Sequence, residues 1–397
     1  QTNLQAFFTG HSEEVTAIAV HHNGDFIASA QMGRGGRILL WSAGELASGK
    51  QESQESIELL LDASVRTITE VDFSPDGQFL AVLGYSEGAI LTVFDWSAGV
   101  AVASAKLGET KVSQMGFNPY LYSTIALGND EKDASPSKKG MNALGCYTII
   151  TCGARVVKFW SLRKVFDLNN DNDKSPGYRR KNATYVLEGN AGTMNRSAAS
   201  EHPDMTCFCC VADPTDNDSG IPMSRVFVGT SSGSVFVWQQ NSELVSEGVY
   251  AWQPRGRLIS VVTDVHDGPI IDLDYTGPTP YDNENKHDWI ERLISCSKDG
   301  IINVWHIQRK NDRGSLPFEH LASADISAPG ISIGYARSLS FDAYSEAVIV
   351  GTTGNSVCLL LGPGLIRAST DPATDLQLRT LITAHTGKVC TIASHPR

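Results

Sequence analysis

No apolar run in this chain approaches the ~20 residues of a membrane-crossing helix. The first residues, Gln1-Thr2-Asn3-Leu4, offer no Met, no basic region and no signal-peptide core, so the sequence reads as a fragment or trimmed form. Basic residues are scarce. Lys and Arg number 32 against 44 Asp and Glu, a net charge of −12. That balance argues against nucleic acid and anionic membrane as partners of the whole surface, and against simple capture of acidic protein tails. The eight cysteines form no loop framework. Most lie inside apolar runs of strand character, which favours reduced, packed thiols and a cytosolic compartment over disulfides. Hydrophobic residues at 41% and charged residues at 19% suit an ordered, soluble protein.

The most informative stretch is 293–306, Leu-Ile-Ser-Cys-Ser-Lys-Asp-Gly-Ile-Ile-Asn-Val-Trp-His. Ile294, Cys296, Ile302 and Val304 alternate with neighbours of other character, the period of strands. Asp299-Gly300 between them is a hairpin signal, because Gly accepts the positive φ of a tight turn. About thirty residues upstream stand Val265-His266-Asp267-Gly268 and then the apolar run 270–275. His before one strand, Ser in the next, Asp at the turn and Trp in the third is the plan of a WD-repeat blade. The set makes sense as a structural tetrad of hydrogen bonds: Asp299 fixes His266, His266 reaches Ser295, and the Trp305 N–H closes the network. Buried polar groups persist when partnered in this way.

A length of 397 residues exceeds a typical single globule, but repeat arrays escape that limit. Further blades follow the same pattern with defects. The first runs from Gly10-His11 to Trp41 with an outer strand at 57–61, and its turn Gly33-Arg34-Gly35-Gly36 lacks the Asp. The second spans 68–107, with Phe94 in the Trp place, Trp96 two residues later, and a Ser74-Pro75-Asp76-Gly77 turn. The third takes 112–117, 147–152 and 156–160. The fourth takes 205–211, 226–230 and 235–238, with 258–263 outside. The fifth is the stretch above, with 316–322 outside. The sixth takes 336–341, 347–351, 357–361 and 376–382. The expected fold is all-β: a WD-repeat β-propeller with six recognisable blades plus an incomplete seventh. The expected propeller covers 1–385, with insertions at 129–145 and 167–204. Residues 386–397 are then the truncated first strand of a further blade or of a second propeller. A strand at 185–187 is the one expected inside 167–204, whose composition is otherwise too polar to offset chain entropy. A seventh blade needs strands from outside the chain, or the ring closes imperfectly, and open edges invite pairing with another chain.

Chemistry is thin. Gly44 to Lys50 matches most of a phosphate loop, but Gln51 offers no hydroxyl to Mg²⁺ and no helix is indicated after it. Cys207-Phe208-Cys209-Cys210 sends its thiols to two faces of a strand, and no second pair stands at zinc spacing. His11, His266 and His385 open blades, and His21-His22 closes a strand. No nucleophile, base and orienter occur together. The expectation is no enzyme activity, no catalytic residue, no metal site, no cofactor and no small-molecule substrate. Basic clusters occur at Arg163-Lys164, at Arg179, Arg180 and Lys181, and at Arg309 and Lys310 with Arg313. They read as solvated loops, with local contact to an acidic partner as the alternative.

The order of imperfect blades resembles the first propeller of the echinoderm microtubule-associated protein-like (EMAP-like) family. Gln5-Ala-Phe-Phe-Thr-Gly-His11 leading into 15–22 carries the resemblance. So do Leu91-Thr-Val-Phe-Asp-Trp96, Thr148 to Gly153 before Val157-Lys-Phe-Trp160, the Trp-less sixth blade, and Ala384-His385-Thr386-Gly387. In that family the last stretch opens a second propeller. The resemblance implies a non-catalytic interaction scaffold in the cytoplasm, bound to tubulin or microtubule-associated proteins, on the cytoskeleton or the ciliary axoneme. The alternative is a generic WD-repeat adaptor, a ubiquitin-ligase substrate receptor or a trafficking-complex subunit. It would show a basic pocket on the channel face.

Overall fold

In the computed structural model the described residues are 8–44, 56–123, 144–166, 183–194, 203–213, 223–246, 249–276, 291–308, 317–326, 334–342, 347–362 and 376–382. They form six four-stranded antiparallel sheets, each built from four consecutive strands. Sheet one holds β1 (Val15–Val20), β2 (Phe26–Gln31), β3 (Arg37–Ser42) and β4 (Ser56–Leu60). Sheet two holds β5 (Thr67–Phe73), β6 (Phe79–Tyr85), β7 (Ala89–Asp95) and β8 (Val100–Gly108). Sheet three holds β9 (Val112–Ser123), β10 (Leu144–Gly153), β11 (Val156–Phe166) and β12 (Ala183–Ala191). Sheet four holds β13 (Met205–Asp213), β14 (Met223–Thr230), β15 (Val235–Ser246) and β16 (Val249–Val262). Sheet five holds β17 (Ile270–Thr276), β18 (Arg292–Ser297), β19 (Ile301–Ile307) and β20 (Phe318–Asp325). Sheet six holds β21 (Ala336–Asp342), β22 (Ala347–Thr352), β23 (Val357–Leu361) and β24 (Gln377–Ile382).

The first strand of each sheet packs on the first strand of the next: β1 on β5, β5 on β9, β9 on β13, β13 on β17 and β17 on β21. The sheets therefore stand around an axis as propeller blades. Among the described residues no comparable contact joins β21 back to β1.

Each junction is a separate apolar core, because successive side chains on a strand face opposite neighbours. Ala28, Ile38 and Leu40 meet Ile68, Val71 and Leu80 between sheets one and two. Between sheets five and six, Ile294, Ile302 and Val304 meet Leu339, Val350 and Leu360. Every innermost strand also slips its register by one residue near its start, as between Ile270 and Asp272 or Ile68 and Glu70. A bulge of this kind puts the residue just before it and the third residue after that one on the same side. Those pairs are Ile68 and Val71, Val112 and Met115, Met205 and Phe208, Ile270 and Leu273, and Ala336 and Leu339, each packed on the preceding sheet.

Several strands run longer than their apolar pattern. The outer strand β12 covers nine residues where three were expected. The pair β15–β16 continues through Asn241 and Arg255. Outer strands need no alternating apolar face once they leave the core, so backbone pairing there goes unmarked in the side chains. The outer strand of sheet five starts at Phe318, not at 316. The expected seventh-blade strand at 386–397, most of the 129–145 insertion and most of 167–204 lie outside the described residues.

Candidate functional site

The tetrad of sheet five is assembled from β18, β19, the turn between them and the loop before β17. His266 Nδ1 lies 2.9 Å from Asp299 Oδ2, and His266 Nε2 lies 2.8 Å from Ser295 Oγ. The Trp305 indole N–H donates to the same Ser295 oxygen at 2.9 Å. The partners fix the tautomer: Nδ1–H donates to the carboxylate and Nε2 accepts the serine proton. Burial lowers the His266 pKa, although Asp299 opposes that shift, so the ring stays neutral near pH 7. Asp299 also accepts the backbone N–H groups of Asp267 at 3.1 Å and Ile301 at 2.8 Å. Gly300 takes φ 86° to close the turn.

The Ser–His–Asp order is that of a nucleophilic triad, but the setting differs. Ser295 is fully buried, and its oxygen already accepts the indole proton. The array ties the loop before β17 to the β18–β19 hairpin and presents no hydroxyl to a substrate.

The other sheets keep parts of this device. In sheet one, Trp41 donates to Ser29 Oγ at 2.9 Å and His11 Nε2 lies 2.6 Å from that oxygen. Gln31 Oε1 stands where the turn Asp would, 2.9 Å from His11 Nδ1. The tetrad expected to be incomplete here is closed by an amide on the strand, a substitute that a search for Asp at the turn passes over. In sheet three, Trp160 donates to Thr151 Oγ1 at 2.9 Å. In sheet two the displaced Trp96 reaches the Gly77 carbonyl at 2.7 Å. In sheet four the indole N–H of the fully buried Trp238 finds no acceptor among the described residues.

A second set of polar contacts joins sheet to sheet at the axis. Asp72 Oδ2 accepts the Phe117 backbone N–H at 2.7 Å, and Asp272 Oδ2 accepts that of Leu339 at 2.8 Å. Gln114 and Asp274 do the same for Phe208 and Phe341. Glu70 stands beside this set. Burial pushes the carboxyl pKa values up, to about 8 for Glu70, about 7 for Asp72 and Asp272, and about 6 for Asp274. Asp272 and Asp72 raise Glu70 further by repulsion. None of these groups was expected from the sequence. Their signal was acid inside otherwise apolar strands, Ile68-Thr69-Glu70-Val71-Asp72-Phe73 and Ile270-Ile271-Asp272-Leu273-Asp274-Tyr275.

The remaining candidates scatter. Cys207 packs into the core between sheets four and five with Cys209 beside it, and Cys210 borders the core between sheets three and four. Burial raises all three thiols. No cluster of three or more metal-binding side chains occurs among the described residues. Arg163 pairs with Glu188, and Lys164 lies over the Tyr185 ring at 5.6 Å. Arg179, Arg180, Lys181, Arg309, Lys310 and most of the phosphate-loop-like turn lie outside the described residues. A cleft of about 380 Å³ opens between sheets four and five, floored by Val262, Val265, Trp305 and Phe318, with Asp264 and Glu319 on its lining.

Blades with this tetrad define the class: an all-β WD-repeat propeller. Residues 2–42 match the family described as "WD domain, G-beta repeat". The chain is similar to human WD repeat-containing protein 90, 24% identical over 369 residues, which is 90% of this chain and 15% of that protein. It is also similar to Cilia- and flagella-associated protein 52 of Chlamydomonas reinhardtii, 31% identical over 104 residues, 25% of this chain and 15% of that one. The chain thus spans a small part of either relative. In fold it resembles the β-propeller domain of Myceliophteria thermophila Cps50 (Swd1), with a TM-score of 0.58 and 14% identity over 99% of this chain and 93% of that one. Saccharomyces cerevisiae Sqt1 gives 0.54 and 13%, over 98% and 79%.

Proposed function

We propose that this chain is a non-catalytic protein-interaction scaffold of the microtubule cytoskeleton, working at tubulin or the ciliary axoneme. The observation that carries the reading is its similarity to a protein named for cilia and flagella. The resemblance to the EMAP-like family points the same way, although neither relative bears that name. Propellers of this class act by shape: rigid sheets hold loops at fixed positions for protein partners. The polar groups that could suggest catalysis are already used to hold strands together.

The adaptor reading calls for a basic pocket on the channel face. The innermost strands β5 and β17 instead carry Glu70, Asp72, Asp272 and Asp274. That placement disfavours capture of phosphorylated or acidic peptides at the axis.

The test is co-sedimentation of the purified chain with polymerised microtubules, alongside affinity capture from ciliated cells. The reading expects the chain in the microtubule pellet and axonemal proteins in the capture. It also expects charge reversal at Arg179, Arg180 and Lys181 to weaken pelleting. A chain that stays in the supernatant, with ubiquitin-ligase or trafficking subunits captured instead, would replace this reading with the adaptor one.

A further inference from the structure

Trp305 is set differently from the other third-strand tryptophans. In sheet one the Trp41 indole is covered by the ring of Phe8, stacked on it at 4.6 Å and 9°. In sheet three Lys158 Nζ lies over the Trp160 ring, 5.8 Å from its centroid. Trp238 is fully buried. Trp305 meets Phe318 at 5.2 Å and 70°, and His320 at 5.0 Å and 72°, both T-shaped. Beside it lies the cleft of about 380 Å³ between sheets four and five. That volume is inside the range of about 300–1,000 Å³ typical of ligand pockets.

The lining has two chemistries. Val262, Val265, Trp305 and Phe318 are apolar and at most 9% exposed. Asp264 and Glu319 are exposed acids, one in the loop after β16 and the other on β20. Among the described residues neither has an ion-pair partner. Asp264 accepts only a hydrogen bond from its neighbour Thr263 Oγ1, at 3.1 Å. Its backbone sits at φ 60°, in the left-handed region that favours Gly, yet an acid occupies the position. Arg225 donates to the Gln308 carbonyl at 3.1 Å and lies over Phe227, and it does not line the cleft. No described Lys or Arg does.

An apolar, aromatic floor with two acids beside it complements a side chain that has an apolar stem and a cationic head. A guanidinium fits better than an ammonium. It is planar and weakly hydrated, stacks on aromatic rings and donates paired bonds to a carboxylate. Sheet three already satisfies its own tryptophan with a cation, Lys158; in sheet five that cation has to come from another molecule.

We propose that this cleft docks an arginine carried on an exposed segment of a partner protein. Its stem lies on Val262, Trp305 and Phe318, and its guanidinium faces Asp264 and Glu319. The assignment goes beyond the cytoskeletal reading and stands without it.

The test applies the full 397-residue chain to an array of blocked peptides. A central Arg, or its neutral analogue citrulline, stands among random Ala, Ser and Leu neighbours. Retention on the Arg peptides should exceed that on the citrulline peptides by on the order of tenfold. Asp264→Asn with Glu319→Gln should bring the ratio close to one. Asn also tolerates the left-handed backbone, and Glu319→Gln alone, on an exposed outer-strand position, should lower the ratio if the pair fails to fold. Glu87→Gln with Glu109→Gln removes the same charge from exposed positions beside sheet two and should leave the ratio unchanged. Thr263→Trp, which puts a bulky ring on the cleft lining, should lower retention on the Arg peptides. An unchanged far-ultraviolet signal and unfolding midpoint identify the variants that fold. Equal retention of the two peptide sets by the unaltered chain overturns the assignment, whether the cleft is idle or taken by the chain's own Arg309 or Lys310. So does a preference that survives loss of both cleft acids, one that falls equally in the Glu87 and Glu109 variant, or one that Thr263→Trp leaves intact.

Discussion

The carboxylate of Asp272 belongs to one sheet and accepts the backbone N–H of Leu339, at 2.8 Å, in the next. Asp72 makes a bond of the same kind to Phe117, from sheet two to sheet three. Innermost strands expose one edge to the axis, where no further strand can satisfy the N–H groups. A short acid from the neighbouring blade supplies the missing acceptor and fixes the spacing between blades.

These acids make stability depend on pH. Their folded-state pKa values are raised, chiefly by burial, to between about 6 and about 8. The folded state therefore holds protons that the unfolded state has released, so stability falls as pH rises from the unfolded carboxylate value, about 4, towards about 8. Thermal unfolding should occur at a lower temperature near pH 8 than near pH 5. Asp272→Asn keeps an acceptor for Leu339 and removes the titration, so it should flatten that slope. An unchanged slope in the variant would refute this account.

Ser295→Ala strips a shared acceptor from Trp305 and a donor from His266, both inside the blade. Two buried groups lose their partner at a cost of about 1–3 kcal/mol each, so urea unfolding should show a loss of roughly 2–6 kcal/mol.

Trp238 tests the converse. In three sheets the indole donates to the hydroxyl two residues beyond its cross-strand partner: Ser29, Thr151 and Ser295. Trp238 pairs with Val226, so the matching position is Val228. Val228→Thr should be near neutral, within about 0.5 kcal/mol, because the new oxygen meets a waiting N–H. Val237→Thr, in the core between sheets four and five, should cost about 1–3 kcal/mol. Equal losses in the two variants would show that the indole is not the partner.

Gly77→Ala should destabilise the junction of sheets one and two. Gly77 sits at φ 73°, and an added Cβ would lie 1.9 Å from His21 Nε2. The left-handed conformation alone costs an L-residue about 1–2 kcal/mol, and displacement of His21 adds to it. The stacked His21–His22 pair and the Trp96 bond to the Gly77 carbonyl would both shift. Quenching or a wavelength shift of Trp96 fluorescence, together with a lower unfolding midpoint, is the readout.

Much of the blade plan was legible because local chemistry is repeated. Asp299-Gly300 marks a turn, Trp305 marks a third strand, and alternation in Ile294, Cys296, Ile302 and Val304 marks the two strands on either side of the turn. Gln31 was not legible as the acceptor for His11, since an amide on a strand has no turn signature. The long outer strands β12 and β16 were underestimated, because rim strands pair through backbone and need no apolar period. The acids of β5 and β17 stood in plain view inside apolar runs, yet their role depends on which N–H lies opposite.

The sequence by itself determined that this chain builds repeated four-stranded sheets, since turn residues and a period of two act over only a few positions. Tertiary structure alone decided which polar groups meet between blades and which sheets pack on one another. Those outcomes depend on contacts between residues such as Asp272 and Leu339, 67 positions apart, and no local pattern encodes the distance between two sheets.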